Sequence, residues 1–431
     1  MSVDTASAPS APPDEAVTRV GKRNWKTPIT LGVLGLFALI VFGFLAPPGE
    51  ESTFRITRAT DFVQIEPISV SSQVAGIALG VLCLVLAAYS FVRIRAWQPV
   101  PLWVPLTFGL AFVFAFLTWT VAGTSIPLTN LLQGAIALAV PLVFGAMCGL
   151  LGERSGVINI AIEGQLLAGA FLSGVVASLA GSPWFGLIAA PIAGMLVAWL
   201  LAVFTVKYFV NQIIVGVVLN VLVIGVTNFL YSQVLVPNRE QWNAPGRFSD
   251  IPIPGLSKIP IIGPVLFNQN IIVYVMYATV AVLTIALFRS RWGLRTRAVG
   301  EHPQAADTAG IRVNSVRFRN VVLAGALSGF GGAFYTIGST GAFGREMTAG
   351  QGFIALAVMI LGRWHPIGAL FAALLFGFVL NLQSVLGLAG AAPFSSQLML
   401  MAPYLVTIIA VAGFAGRVRA PAAEGIPYIK S

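Results

Sequence analysis

Apolar runs close to 20 residues long follow one another along most of this chain, separated by short segments that hold most of its Arg and Lys. A run of about 20 apolar residues is what a helix needs to cross a hydrocarbon layer roughly 30 Å thick. Composition closes off the alternative of a soluble all-helical enzyme. Of 431 residues, 57% are hydrophobic and 9% are charged, where a soluble domain carries about 25% charged residues. Too little polar surface would remain to cover such a core. The expected fold class is therefore all-α: a polytopic transmembrane helical bundle.

Runs at about 29–46, 74–92, 102–121, 128–150, 157–180, 184–205, 211–230, 270–288, 320–338, 367–386 and 397–415 are long enough to span. The apolar run 350–362 is short. If it crosses with help from its flanks there are about 12 nominal spans; if it is re-entrant, eleven. Residues 1–28 read as a disordered cytoplasmic tail, and the first run as an uncleaved anchor.

Orientation follows from where the positive charge lies. Arg289, Arg291, Arg295, Arg297, Arg312, Arg317 and Arg319 crowd one loop and are opposed only by Glu301 and Asp307. Short loops rich in Arg and Lys stay on the cytoplasmic side. Counting crossings from a cytoplasmic N-terminus puts this loop on the same side, and Arg417 and Arg419 put the C-terminus there in the twelve-span count. The net charge of +10 is thus a topology signal, and nucleic-acid binding is set aside. Residues 231–269, rich in Pro and poor in charge, read as a compact outer loop that packs on the spans through Trp242 and Phe248, with or without a ligand role. Cys83 and Cys148 follow no metal-ligand spacing, and His302 and His365 are the only histidines, so a histidine-rich metal site is excluded.

Within this pattern the stretch Gly152-Glu153-Arg154-Ser155-Gly156-Val157-Ile158-Asn159-Ile160-Ala161-Ile162-Glu163-Gly164-Gln165 places charges between apolar runs. Such charges are costly unless they lie at an interface, face a cavity or meet a partner. Glu153 and Arg154 are expected to fix a cytoplasmic turn. With span five starting at residue 157, Asn159 and Glu163 fall four apart on one helix face. Their depth is then shallow, one to two turns in, which favours gating or interhelical bonding over solute contact. Asn220, near the middle of span seven, either binds solute or makes one interhelical hydrogen bond. Gly350-Gln351-Gly352-Phe353 opens the short run, and half-length helices with glycine-rich ends often build transporter sites. Gln351 would supply a polar contact and Phe353 a ring to stack on a flat or sugar-like solute, or else a helix start and a lipid-facing ring. In the basic loop, Gly300, Glu301, Pro303, Ala306 and Gly310 read as a short helix, with Pro303 early and Gly310 as its stop. That helix is either a knob for another protein or part of an ordinary basic loop. No Walker A motif and no ladder of carboxylates for proton relay occurs, so energy would come from another subunit.

Gly152 to Gly164 resembles the signature of ABC-importer permeases of the branched-chain amino acid and simple-sugar superfamily. With Glu163-Gly164 included, it is most similar to the nucleoside and simple-sugar subgroup. Gly300 to Ile311, Pro260 to Asn268, Gly352 to Val358 and Leu361 to Pro366 share the likeness, which covers roughly residues 125–415. The resemblance implies a permease core at 125–416, three additional helices at 29–124 and a cytoplasmic tail at 417–431. It implies half of a translocation pore in a bacterial cell membrane, importing nucleosides. The alternative is a simple sugar such as a pentose; behind these stand a branched-chain amino acid and a passive channel. It also implies that the chain catalyses nothing and holds no cofactor, ATP and magnesium being used by a partner. The implied partners are a second related permease, a cytoplasmic ATP-binding subunit seated on the 300–310 segment, an extracytoplasmic solute-binding lipoprotein, and membrane lipid.

Overall fold

The computed structural model describes residues 25–58, 63–389 and 419–430. The expected N-terminal tail up to residue 24, the run 397–415 and Arg417 lie outside them. Among the described residues, ten helices are long and apolar enough to cross a membrane, so the chain is a multi-pass membrane protein. In chain order the first are α1 (Lys26–Phe37, continued by wider turns to Phe44), α2 (Ser72–Arg95), α3 (Trp103–Thr120) and α4 (Leu128–Arg154). Next come α5 (Ile162–Ala180), α6 (Pro183–Ala202, continued to Lys207) and α7 (Gln212–Leu230, continued to Leu235). The short α8 (Arg239–Trp242) and α9 (Ile262–Leu266) lie in the proline-rich loop. The remainder are α10 (Ile271–Arg289), α11 (Arg291–Glu301), α12 (Pro303–Thr308), α13 (Val313–Ala333, continued to Thr340), α14 (Gln351–Leu361) and α15 (Pro366–Ala389).

Tight crossings hold the bundle. At the junction of α5, α6 and α13, any Cβ on Gly325 would strike the backbone of Gly194, and one on Gly329 would strike that of Ala190. Gly169 of α5 meets Gly329 in the same way. Where the surrounding medium is as apolar as a side chain, such backbone approach replaces the hydrophobic drive. The α1–α2 pair repeats the device, with Gly76 against Phe42 and Gly80 against Leu39. α4 is the most deeply buried of the ten, ringed by α10, α13, α14 and α15.

The all-helical expectation holds with small additions. A three-stranded sheet, β1 (Glu51–Arg55) between β2 (Ile68–Ser71) and β3 (Ser125–Pro127), ties the α1–α3 unit to the start of α4. Under it Phe54, Leu117 and Val121 pack with Ile126, Leu131, Leu382 and Leu386. The proline-rich segment packs as expected. Strands β4 (Ile251–Pro252) and β5 (Asn268–Gln269) pair within it, and Phe248 meets Trp184 with ring centroids 5.0 Å apart.

By the run of the helices, Arg93, Arg95, Arg154, Lys207 and Arg289 close their helices at one end of the bundle, the basic end. Both sheets sit at the opposite, far end.

Candidate functional site

The stretch after α4 is not the start of a helix. Gly156, at φ +90°, ends α4 with the left-handed residue that such stops favour. The chain then runs unwound to Ala161 before α5 begins at Ile162. This corrects the expectation that span five starts at 157, with Asn159 and Glu163 on one helix face. Asn159 instead lies in the unwound stretch. Its amide donates to Gln165 Oε1 at 3.1 Å and Cys148 Sγ at 3.2 Å, and its Oδ1 accepts from the Ala161 N–H at 3.1 Å. The reason is backbone satisfaction: unwound backbone inside a membrane must find partners within the protein.

The other partners are supplied by α7. Gln212 Oε1 accepts from the Ile158 N–H at 2.7 Å. Asn220 does two jobs, accepting from the Gly164 N–H at 2.8 Å and donating to the Ile160 carbonyl at 2.9 Å. Asn220 thus pins α7 to the unwound stretch and to the first turn of α5. It stands eight residues along α7 from Gln212, about 12 Å from the basic end at 1.5 Å per residue. Glu163, at the same level, is close to half-way through a 30 Å core. The expected shallow position is corrected accordingly: the unwound stretch carries the chain inward before the helix starts.

A second interruption meets the first at this depth. α13 ends near Thr340 at the far end, where Arg345 donates to Ser232 Oγ at 2.6 Å and Asn228 donates to Glu346 Oε1 at 2.9 Å. From there the chain descends without helix to Gly350, and α14, 11 residues and about 16 Å long, completes the crossing to the basic end. The short run 350–362 is thus the half-helix of a path from the far end to the basic end whose first part is the loop 341–349. Two backbone positions show the constraint on the loop: Glu346 and Ala349 have φ of +48° and +46°, a region that side chains other than glycine rarely adopt.

Glu163 joins the two breaks. One carboxylate oxygen accepts from Thr348 Oγ1 at 2.6 Å and the Gly350 N–H at 2.9 Å, the other from the Gly352 N–H at 2.6 Å. The carboxylate sits at the N-terminus of α14, where free N–H groups and the helix dipole favour a negative charge. Gly352 comes so close that a Cβ there would stand 2.5 Å from the Glu163 backbone. Gln351 accepts from the Tyr335 hydroxyl at 2.8 Å and is half-buried, while Phe353 is 50% exposed. Of the expected pore residues, Asn159, Glu163 and Asn220 are buried and bonded, whereas Gln351 and Phe353 retain open surface. Farther out, a cavity of about 350 Å³ opens among Tyr231, Arg239, Asn243 and Phe343.

The basic end carries the remaining expected residues. The Trp364 indole donates to Glu153 at 2.5 Å, and Arg154 donates to the Trp364 carbonyl at 2.9 and 3.1 Å. Arg154 also faces Glu301 at 3.9 Å. Gly300 and Glu301 are not in the same helix as Pro303, Ala306 and Gly310. They end the longer α11, and the chain breaks at His302 before α12 starts on Pro303. Pro303, expected early in the helix, is its first residue, and Gly310, at φ +79°, stands at the expected stop. Gly300 lies against the backbone of Arg154.

Tyr335, Thr348 and Gln165 were not singled out in the sequence, since single hydroxyls and amides in apolar runs carry no spacing signal. The C-terminal segment was missed as well. Residues Arg419–Lys430 lie across α11, α12 and the start of α13.

The family model for the branched-chain amino acid transport system / permease component matches residues 131–414, about two thirds of the chain. The chain belongs to this permease family. Its work is transport, not catalysis. The guanosine ABC transporter permease protein NupQ of Bacillus subtilis (strain 168) is 40% identical over 319 residues, covering 70% of this chain and 97% of the relative. The nucleoside ABC transporter permease protein NupC of Lactococcus lactis subsp. cremoris is 41% identical over 306 residues, covering 68% and 94%. The glucose ABC transporter permease protein TsgB13 of Haloferax volcanii is 30% identical over 258 residues, covering 57% and 67%. No solved structure matches the permease.

Proposed function

We propose that this chain forms half of the translocation pore of an ATP-driven importer for nucleosides, with Gln351 and Phe353 meeting the solute. One observation carries the placement. Non-helical backbone at membrane depth is tolerated only where protein covers it or it lines water, yet Arg345, Glu346 and Ala349, in the descending loop, are exposed. That loop and the head of α14 would therefore face a second, related permease across a shared aqueous path. Phe353 would stack on the base while Gln351, already oriented by Tyr335, reads a polar edge. The permeases named for guanosine and nucleosides, 40% and 41% identical, support the solute class. A relative named for glucose at 30% identity keeps a simple sugar as the second reading.

In this reading the basic end is cytoplasmic, as are both termini, and the cell membrane is bacterial. The 125–416 core works with α12 seated on the ATP-binding subunit, and the three helices of 29–124 are an addition to it. A solute-binding lipoprotein delivers solute from outside. ATP-driven closure moves α11 and α12, and the pore alternates between outward and inward access without breaking a bond in the solute.

The test is uptake by the reconstituted importer of labelled adenosine, uridine and ribose. Saturable nucleoside uptake is expected, with Phe353→Ala raising KM about tenfold for loss of one stacked ring and leaving thermal stability unchanged. Ribose uptake without nucleoside uptake would reverse the solute order.

A further inference from the structure

The segment Arg419–Lys430 is held at the basic end by more contacts than a trailing terminus needs. Its Ala423 N–H donates to the Gly300 carbonyl at 2.9 Å and its Gly425 N–H to the Gly156 carbonyl at 3.2 Å. The Ala422 N–H donates to Glu301 Oε2 at 3.2 Å. Arg317, only 2% exposed, donates to the carbonyls of Ile426 at 2.6 Å and Ala423 at 3.4 Å. A buried guanidinium left without those acceptors would be strongly destabilising, so the segment is part of the fold. Lys430 pairs with Asp307 of α12 at 3.5 Å, and Tyr428 packs against the cluster of Val299, Ala306 and Val313.

Between its charged ends, Arg419 and Lys430, the segment presents apolar side chains outward. Ile426 is 57% exposed and Ile429 71%, and α12, which the segment contacts through Lys430 and Tyr428, exposes Ala305 and Ala309. Arg295 of α11, Arg312 at the head of α13 and Lys430 of the segment are exposed at the same end, so exposed apolar and basic side chains occur together there, as they do in protein interfaces. The position argues against lipid as the occupant. The segment covers Gly156, at the end of the central helix α4, and reaches across the basic end to the α6–α7 turn, where Gly425 and Pro427 lie near Phe209 and Val210, so much of it overlies protein.

We propose that Arg419–Lys430 and α12 together form one docking face for the cytoplasmic ATP-binding subunit, with Ile426 and Ile429 as its apolar anchors. The proposal rests on the importer reading and adds the C-terminal segment to the surface that the ATP-binding subunit grips. Because Gly425 is bonded to Gly156, at the foot of the unwound stretch, a push on this face reaches the Glu163 junction through backbone contacts.

The test coexpresses the full chain with the second permease and the ATP-binding subunit of its importer. It measures copurified ATP-binding subunit and ATP hydrolysis in response to solute-loaded binding protein. Ile429→Asp and the pair Ile426→Asp with Ile429→Asp leave every backbone bond of the segment in place and add no buried charge. Each is expected to insert and purify as the wild type does, and the pair to lower ATP-binding-subunit capture about tenfold, the scale of an interface anchor. Wild-type capture with both variants unchanged would overturn the docking face and leave the importer reading standing. No capture by the wild-type chain would overturn the importer reading and the docking face with it.

Discussion

Glu163 has the surroundings of a helix cap. Its three donors, Thr348 and the N–H groups of Gly350 and Gly352, leave little of the carboxylate for a solute, and replacing it tests the joint between two broken spans. Glu163→Gln turns one acceptor oxygen into a donor that must face an N–H or hydroxyl group. Hydrogen bonds to charged groups are each worth about 1.5–3 kcal/mol, so thermal unfolding of the purified chain is expected to show a loss of about 2 kcal/mol together with reduced uptake. Glu424 gives a second prediction at this scale. Burial pushes its carboxyl above the ordinary range, and it lies beside the carboxyl of Glu153. An acid whose pKa is raised when docked favours docking while it is protonated. Docking of the C-terminal segment is thus strongest at low pH and weakens as pH climbs from the ordinary carboxylate range through the raised pKa. Hydrogen exchange of residues 419–430, corrected for its intrinsic pH dependence, is expected to accelerate over that window. In Glu424→Gln the acceleration should be smaller, the neighbouring Glu153 carboxyl being left as the remaining buried acid there.

Among the elements, the α5–α6–α13 crossing and the α14 half-helix set the architecture. At the crossing the glycines carry no chemistry; they allow helix axes to approach. A methyl group on Gly329 would press on the Ala190 carbonyl and Pro191 Cα, and overpacking of this kind costs about 1–3 kcal/mol. Gly329→Ala is expected to lower the yield of folded protein and the unfolding temperature measured in detergent. An unchanged midpoint would mean that the helices can separate there at no cost. The half-helix α14 was legible as a short apolar run flanked by glycines. That it begins at half depth was not legible, because this depends on the descent of a loop whose length says nothing about its path.

For the whole molecule, α1–α3 are joined to the rest by β1–β3 pairing and the apolar cluster beneath it. The family match begins at residue 131, so the working parts named above all lie outside that unit. A chain lacking residues 1–121 is expected to keep saturable uptake in the reconstituted importer. Its unfolding temperature should fall, since Ile126 and Leu131 lose the cover of Phe54 and Leu117. Loss of uptake in a chain that still inserts would give the N-terminal helices a part in transport.

Span length and charge placement are local properties, and the sequence by itself determined them: an all-helical membrane bundle, nearly every span, a short helix ending at Gly310 in the basic loop and the family motif around Glu163. Hydrocarbon thickness and the cost of burying charge act on any chain in the same way, so a run of 20 apolar residues can be read without its neighbours. Tertiary structure alone decided what the polar residues within those spans do. A polar side chain in an apolar run must meet something, and from sequence Asn159, Asn220 and Glu163 could be facing a pore or bonding a neighbouring helix. Only the packing of α5 against α7 and α14 shows that each meets unwound backbone of this same chain. The docked C-terminus was invisible for a related reason. It is held mainly through backbone groups to residues more than 100 positions away, and a backbone group has no signature in sequence.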